Sequence, residues 1–122
     1  MKKILVIDDD VQVQTTLQKI LTREGYAVIL AADGKQGLQH YQAQHIDLVI
    51  TDLIMPEKDG IETIVALRRQ VPDVKIIAIS GGGRVDKKYH LTIAEQFGAR
   101  KVLPKPIERQ VLLQAVEDVL QS

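Results

Sequence analysis

Five polar side chains in this sequence follow short, mostly apolar segments, and their types and spacing indicate one shared site. Asp8 and Asp9 come after residues 4–7, and Asp52 comes after residues 48–51. Ser80 follows residues 76–79, and Lys105 follows residues 102–104. If these segments are parallel strands, all five side chains emerge at one carboxyl edge, where open α/β sheets bind ligands. We therefore expect one site that combines carboxylates, a hydroxyl and an ammonium group.

The carboxylates in this group predict a metal ion and a phosphorylation site. Two carboxylates about 5 Å apart repel by roughly 3 kcal/mol at an effective dielectric near 20, so a cation among Asp8, Asp9 and Asp52 would relieve strain. Oxygen-only ligands favour Mg²⁺ or another hard divalent ion. A carboxylate can attack phosphorus to form an acyl phosphate once a metal and a lysine screen the incoming charge. The Ser80 hydroxyl can donate to a phosphoryl oxygen.

Each of these residues also has a purely structural interpretation. Asp10, the third acid of the run, is predicted to cap the helix that follows. Asp52 alone could be a turn former, and Lys105 lies between two prolines, as in a plain surface turn. Glycines after Ser80 let a backbone approach a bound group, but flexible connections have the same composition. The coincidence of all these groups at strand ends favours a functional site.

Along the whole chain, β-branched runs alternate with amphipathic stretches. Short continuous apolar runs are typical of strands buried on both faces of a parallel sheet. The predicted strands are residues 4–7, 26–30, 47–51, 75–79 and 101–103. Successive β-α units require right-handed crossovers, which place helices on both faces of the sheet. This pattern predicts a doubly wound α/β domain and leaves the strand order open.

Two helices can be placed from apolar residues at helical spacing. The first helix is predicted from Val13, Leu17, Ile20 and Leu21, and Gly25 is placed to end it. The last helix is predicted from Leu112, Ala115, Val116 and Val119, with Pro106 near its start.

Length and composition exclude several classes of protein. The 122 residues predict one domain, residues 1–122, and 45% of them are hydrophobic, enough for a layered core. There are no cysteines, which excludes disulfides and thiol catalysis. Lys plus Arg and Asp plus Glu are both 16, so there is no basic excess for nucleic-acid binding. The longest apolar run, residues 27–32, is far below the roughly 20 needed to span a bilayer, and we expect a cytoplasmic protein.

The motifs together resemble the receiver domain of two-component response regulators, of the single-domain, CheY-like kind. The resemblance spans nearly the whole chain, in the family's order and with roughly its spacing. The matching residues are Asp8-Asp9-Asp10, Asp52 with Pro56 and Asp59-Gly60, Ser80-Gly81, Gly98-Ala99, and Pro104-Lys105-Pro106. Each motif is modest alone, and the set is highly specific.

The resemblance implies a flavodoxin-like fold with five parallel strands in the order 2-1-3-4-5. It implies that Asp52 is the phosphoryl acceptor and that Asp9 binds Mg²⁺ directly, while Asp8 acts mainly through water. The backbone carbonyl of Ile54 would complete the protein's share of the metal shell. Ser80 would be the switch hydroxyl. Lys105 would bind the phosphoryl group or, before phosphorylation, Asp52, and the bond to the proline after it would be cis.

Three features depart from the family pattern. Val102 stands where many members carry a switch tyrosine or phenylalanine, so we expect the signal to leave the site through Ser80 and the glycines that follow it. The segment from Ser80 to Lys105 is a few residues longer than in compact members. Lys58 occupies a position that is often apolar. None of these departures touches the phosphorylation chemistry.

The resemblance also implies partners. The phosphoryl donor would be a sensor histidine kinase or a phosphotransfer protein, and the chain, a monomer or weak dimer, would catalyse only its own phosphotransfer and dephosphorylation. Because the sequence ends with the last helix, we expect its output to be a changed docking surface for a downstream protein. Candidate contacts there are Leu91, Val111 and Leu113, which could instead be peripheral core residues.

Two other classes of protein fit the sequence less well. A Mg²⁺-dependent phosphohydrolase with an aspartyl nucleophile usually has a second acid two residues later, where this chain has Ile54. A nucleotide- or flavin-binding module would need a phosphate-binding glycine loop after the first strand. This chain has three aspartates there, which would repel phosphate without a metal.

Overall fold

The computed structural model describes residues 1–53, 60–80 and 96–122. Within these ranges the chain forms five strands and four helices. The strands are β1 (Lys3–Ile7), β2 (Ala27–Ala31), β3 (Leu48–Asp52), β4 (Ile76–Ser80) and β5 (Lys101–Pro104). The helices are α1 (Val11–Arg23), α2 (Gly34–Ala43), α3 (Gly60–Gln70) and α4 (Arg109–Gln121).

The strands form one parallel sheet in the order β2-β1-β3-β4-β5. This confirms the predicted doubly wound α/β fold and the order that the family resemblance implied. The predicted strands overlap the observed ones and differ at their ends by one residue. In particular, Asp52 and Ser80 are the last residues of β3 and β4, where the sequence pattern had placed them just beyond the strands.

The core lies in two layers, one on each face of the sheet, because side chains alternate along each strand. In β1, Leu5 and Ile7 face one layer, which includes Ile64 and Leu67 of α3. The other layer contains Ile4 and Val6 of β1 and the buried apolar residues of α1 and α4: Leu17, Leu21, Leu112, Ala115, Val116 and Val119. The predicted inner face of the last helix is therefore confirmed.

The ends of α1 follow from local chemistry. Asp10 is the N-cap residue, and its side chain accepts a hydrogen bond of 2.9 Å from the backbone N–H of Gln12. This confirms the predicted cap, which satisfies one of the free N–H groups of the first turn. Gly25 follows the helix with a φ of +92°, a left-handed conformation that glycine adopts without steric cost. The cap places the three aspartates at the junction of β1 and α1.

In the part of the chain that the structure describes, no helix combines the length and the hydropathy that crossing a bilayer requires.

Candidate functional site

The three predicted acids come together at the carboxyl edge of the sheet. β1 and β3 are neighbours, and Ile7 pairs with Thr51, so the chain brings Asp8 level with Asp52. One carboxylate oxygen from each of Asp8, Asp9 and Asp52 lies within 4.8 Å of the others. Asp8 and Asp52 are buried, whereas Asp9 is exposed. The cluster is thus open on the side of Asp9.

Asp8 is held at the end of β1 by its own hydrogen bonds. Its backbone N–H donates to the carbonyl of Ala31 at 3.0 Å, and its Oδ1 accepts from the N–H of Asp10 at 2.8 Å. Burial raises the pKa of the Asp8 carboxyl, and the negative charge of Asp52 adds to this, against the opposing effects of the Asp10 hydrogen bond and Lys105. Ionised Asp8 is therefore a costly group in the free protein.

Lys105 extends from the end of β5 to both buried carboxylates. Its Nζ donates to Oδ2 of Asp52 at 3.2 Å and lies 3.4 Å from Oδ2 of Asp8. Burial lowers the pKa of the Lys105 ammonium, but the charges of Asp52 and Asp8 outweigh burial, and the net shift is upward. The Lys105–Pro106 peptide bond is cis, as expected. The ammonium group is therefore positioned beside Asp52 before any ligand binds.

Ser80 reaches the same edge as the last residue of β4. It is buried, and among the described residues its Oγ has no hydrogen-bond partner. Its carbonyl accepts a hydrogen bond of 3.0 Å from the N–H of Lys105, which ties the end of β4 to the residue after β5. A buried hydroxyl without a partner costs free energy, so it is available to donate to a ligand at this edge.

Several predicted residues lie elsewhere or outside the described ranges. Ile54, Leu91 and the glycines that follow Ser80 fall within residues 54–59 and 81–95, which the structure does not describe. Val111 is 44% exposed, consistent with a surface contact. Leu113 is partly buried against the α1–α4 layer of the core, which favours the alternative of a peripheral core residue.

Val102, at the position of the usual aromatic switch residue, packs partly buried against the core layer that contains Ile64 and Leu67. Its branched aliphatic side chain has no ring to reorient. The structure thus gives this position a packing role.

Two residues at the site were missed as functional candidates. Gly60 begins α3, and a Cβ at this position would lie 2.1 Å from the carbonyl oxygen of Asp52, so only glycine allows this close approach. In the sequence, the Asp59-Gly60 pair stands out only as part of the family motif. Gln14 of α1 donates from Nε2 to the carbonyl oxygen of Asp8. The local sequence does not indicate a role for Gln14, because its hydrogen bond to the Asp8 carbonyl depends on how α1 packs on the sheet.

The chemistry of the donor set suits a hard divalent metal ion. The cluster offers only carboxylate oxygens, and Asp8 Oδ2 has no hydrogen-bond partner among the described residues, although it pairs electrostatically with Lys105. Such oxygens are the ligands that Mg²⁺ and Ca²⁺ take in proteins. Asp8, Asp9 and Asp52 therefore form an acidic cluster that could bind a metal.

Comparison with known proteins shows the same architecture and sequence pattern. The family model described as the response regulator receiver domain matches residues 4–117. A receiver domain protein from Clostridium thermocellum superposes with a TM-score of 0.91 at 28% identity, covering 99% of this chain and 95% of its own. The chemotaxis protein CheY4 of Vibrio cholerae superposes with a TM-score of 0.87 at 29% identity, covering 98% of both chains.

Among curated proteins, the transcriptional regulatory protein CpxR of Escherichia coli is 36% identical over 120 residues, which are 98% of this chain and 50% of CpxR. The CAI-1 autoinducer sensor kinase/phosphatase CqsS of Vibrio cholerae is 34% identical over 115 residues, 94% of this chain and 17% of CqsS. The chain thus spans half or less of the length of these relatives. On its sequence, its fold and its strand-end residues, this chain belongs to the family of response regulator receiver domains.

Proposed function

We propose that this receiver domain accepts a phosphoryl group on Asp52 from the phosphohistidine of a histidine kinase or phosphotransfer protein. The observation that carries the proposal is the contact of Asp52 with the Lys105 ammonium at the end of β3, within the acidic cluster. The similarity to both a sensor kinase and a transcriptional regulator supports a place in two-component signalling.

The transfer would be a displacement at phosphorus. A carboxylate oxygen of Asp52 attacks the phosphorus atom, the P–N bond to the histidine breaks, and the imidazole nitrogen keeps the electron pair. The product is an acyl phosphate on Asp52, which water later hydrolyses, so the domain acts only on its own phosphoryl group. Lys105 neutralises charge on a phosphoryl oxygen, and the Ser80 hydroxyl donates to another.

Mg²⁺ is the metal that we assign to the acidic cluster. Asp9 and Asp52 would bind it directly, Asp8 mainly through water, and the carbonyl of Ile54 would add a ligand from residues outside the described ranges. When bound, the ion would neutralise charge between the carboxylates and the phosphoryl oxygens. Among the described residues of the site, the Lys105 ammonium would serve the same purpose.

The phosphoryl acceptor can be tested with a small phosphodonor. Incubation with acetyl phosphate and Mg²⁺ should add one phosphoryl group, measured by intact mass, and hydroxylamine should remove it as it does an acyl phosphate. Asp52→Asn lacks the nucleophilic carboxylate and should gain no mass. Full labelling of Asp52→Asn would refute the assignment.

The metal site can be tested without phosphorylation. Mg²⁺ should raise the melting temperature of the wild type by mass action on the folded state, and Asp9→Asn should abolish that shift because it removes a ligand. Asp10→Asn is the matched control, since asparagine also caps helices and Asp10 lies outside the cluster. Equal Mg²⁺ shifts in wild type and Asp9→Asn would show that the metal binds elsewhere.

Phosphorylation would change a protein-docking surface of the domain, and this change would be its output. The protein would be cytoplasmic and a monomer or weak dimer. Val111 on α4 would be a contact of this surface, as would Leu91, which lies outside the described residues, whereas Leu113 packs against the core. A pull-down from cell lysate with the protein phosphorylated or unphosphorylated, in wild type and Val111→Ser, should recover a partner that depends on both phosphorylation and Val111. A partner recovered equally by all forms would exclude this surface.

A further inference from the structure

Gln14 links three elements at the carboxyl edge of the sheet. It lies in the first turns of α1, and its side-chain amide donates to the carbonyl oxygens of Asp8, at the end of β1, and of Ala31, the last residue of β2. The contact with Ala31 is 3.3 Å long. The side chain is partly buried, so water competes less for these two carbonyl groups than at an exposed site.

These bonds act on the acid loop, which we define as residues 8–10. The N–H of Asp8 donates to the same Ala31 carbonyl at 3.0 Å, and the N–H of Gln14 donates to the carbonyl of Asp10 at 3.0 Å. The backbone and the side chain of Gln14 therefore hold opposite ends of the acid loop. Asp9, the exposed acid of the cluster, lies between these two points.

We propose that Gln14 is a positioning residue for the metal ligands of the acid loop, an inference that rests on the function proposed above. A metal site needs its ligands held close to their bound geometry before the metal arrives, and hydrogen-bonded partners of the ligands provide this. Gln14 is uncharged, so it contributes through the position of the acid loop and leaves the net charge of the cluster unchanged.

The test is the affinity for Mg²⁺ of Gln14→Met, measured by isothermal titration calorimetry on the whole chain. Methionine is unbranched and similar in length but cannot donate a hydrogen bond. We expect the dissociation constant for Mg²⁺ to rise about tenfold, the lower end of the range for partners of metal ligands. The charge of the site is the same in both proteins, so electrostatic attraction cannot explain such a change.

The chain offers a matched control in Gln36 of α2. Its Oε1 accepts a hydrogen bond of 3.0 Å from the N–H of Ala32, one residue after the carbonyl that Gln14 binds. Gln36→Met therefore removes a glutamine hydrogen bond at the same sheet edge without touching the acid loop. We expect Gln36→Met to lower the melting temperature while leaving the Mg²⁺ dissociation constant unchanged.

The possible results separate this inference from the proposed function. An unchanged dissociation constant in Gln14→Met, or equal weakening in Gln14→Met and Gln36→Met, overturns the role of Gln14 while the metal site stands. No Mg²⁺ binding by the wild type overturns both.

If Gln14→Met does not fold, the wild type still decides the question by nuclear magnetic resonance. The side-chain amide protons of Gln14 should exchange more slowly than those of the exposed Gln12 and Gln18, and their resonances should shift when Mg²⁺ is added. Exchange of the Gln14 amide as fast as that of Gln12 and Gln18, or no Mg²⁺-dependent shift, overturns the proposal.

Discussion

Among the single residues of the site, two buried carboxylates repel each other and a nearby ammonium group offsets their charge. Asp8 and Asp52 are both buried, and the Lys105 ammonium contacts both. A buried carboxylate that loses its partner costs several kcal/mol, although the 24% exposure of the Lys105 side chain reduces the effect. Lys105 therefore stabilises the free protein as well as serving the proposed chemistry.

Replacing Lys105 by methionine should show how much its ammonium group stabilises the two buried carboxylates. Lys105→Met should lower the free energy of unfolding by about 1–3 kcal/mol in the absence of divalent ions, because two carboxylates lose a compensating charge. Mg²⁺ should then stabilise the variant more than the wild type, since the cation replaces the missing ammonium. Urea denaturation with EDTA or with Mg²⁺ measures both quantities.

Lys101→Met is the control for this experiment. Lys101 pairs with Asp118 at 3.6 Å, but both side chains are more than 40% exposed. Exposed pairs contribute little, so this variant should unfold nearly as the wild type does. The stabilising role of Lys105 is wrong if Lys105→Met and Lys101→Met have the same free energy of unfolding and the same response to Mg²⁺.

At the scale of elements, the site depends on how closely helices approach strand ends. The N–H of Gly60 donates to the carbonyl of Leu53 at 3.0 Å, and α3 begins directly against the backbone of Asp52. Any side chain at this position would meet backbone atoms, which cannot move aside as the end of a flexible side chain can. The start of α3 therefore helps to set the position of Asp52.

Gly60→Ala should destabilise the protein by about 1–3 kcal/mol, the usual cost of overpacking, and should slow phosphorylation by acetyl phosphate. Gly25→Ala is the comparison, because its φ is positive but a Cβ there would meet nothing within 4 Å. It should cost roughly 1–2 kcal/mol of backbone strain without changing the labelling rate. Chemical denaturation and time-resolved intact mass measure the two effects. Unchanged labelling in Gly60→Ala would contradict the link to Asp52.

A second contact between elements lies at the opposite edge of the sheet. The N–H of Lys3 donates to Oδ2 of Asp47 at 2.8 Å, which joins the starts of β1 and β3. This backbone hydrogen bond, more than the nearby His45, holds the pKa of Asp47 below its usual value. Because the pKa is lower in the folded protein, ionised Asp47 stabilises the fold above its unfolded pKa of about 3.9, and this contribution disappears as the pH falls through the folded pKa.

Asp47→Asn should therefore lower the free energy of unfolding at pH 7 by about 1–2 kcal/mol, less than the roughly 1.5–3 kcal/mol of a hydrogen bond to a charged group, because the asparagine oxygen can still accept from Lys3. The difference from the wild type should shrink below about pH 4, where Asp47 of the unfolded chain becomes protonated, and should disappear once the pH falls below the lower pKa of Asp47 in the folded protein. Urea denaturation at a series of pH values measures this difference in the free energy of unfolding. Asp118→Asn, at an exposed pair, should show a small difference at every pH. A constant gap between wild type and Asp47→Asn down to pH 2 would contradict the assignment.

At the scale of the whole molecule, the question is how a phosphoryl group at one edge changes a distant surface. A ligand shifts such an equilibrium only by its differential affinity for the two states. Ser80 can supply that difference, because its buried hydroxyl has no partner among the described residues of the free protein. A hydrogen bond from it to a charged phosphoryl oxygen would contribute roughly 1.5–3 kcal/mol.

Ser80→Ala should still accept a phosphoryl group at Asp52 but should transmit the change weakly. Beryllofluoride, a phosphoryl mimic, should shift the amide resonances of residues 85–97 in the wild type and shift them less in Ser80→Ala. Thr51→Val is the control, since Thr51 is equally buried but its hydroxyl already donates to the Asp52 carbonyl at 3.2 Å. Equal shifts in wild type and Ser80→Ala would exclude Ser80 as the switch.

Local sequence patterns were enough to predict the strands of this fold, its first and last helices and the residues at its carboxyl edge. The apolar runs and helical spacings are local, and each strand of a parallel sheet must end at the same edge, so Asp8, Asp52, Ser80 and Lys105 could be grouped before any coordinates. The cap at Asp10 and the end of α1 at Gly25 were also predictable, because both depend on neighbouring backbone groups.

Which groups contact one another depends on how the helices pack on the sheet. The amide of Gln14 reaches two carbonyl groups because of how α1 packs on the sheet, and Gly60 is required because α3 begins against Asp52. The exposure of Val111 and the partial burial of Leu113 likewise depend on the packing of α4. These are contacts between residues distant in sequence, and periodicity, which reports only one element at a time, carries no information on them.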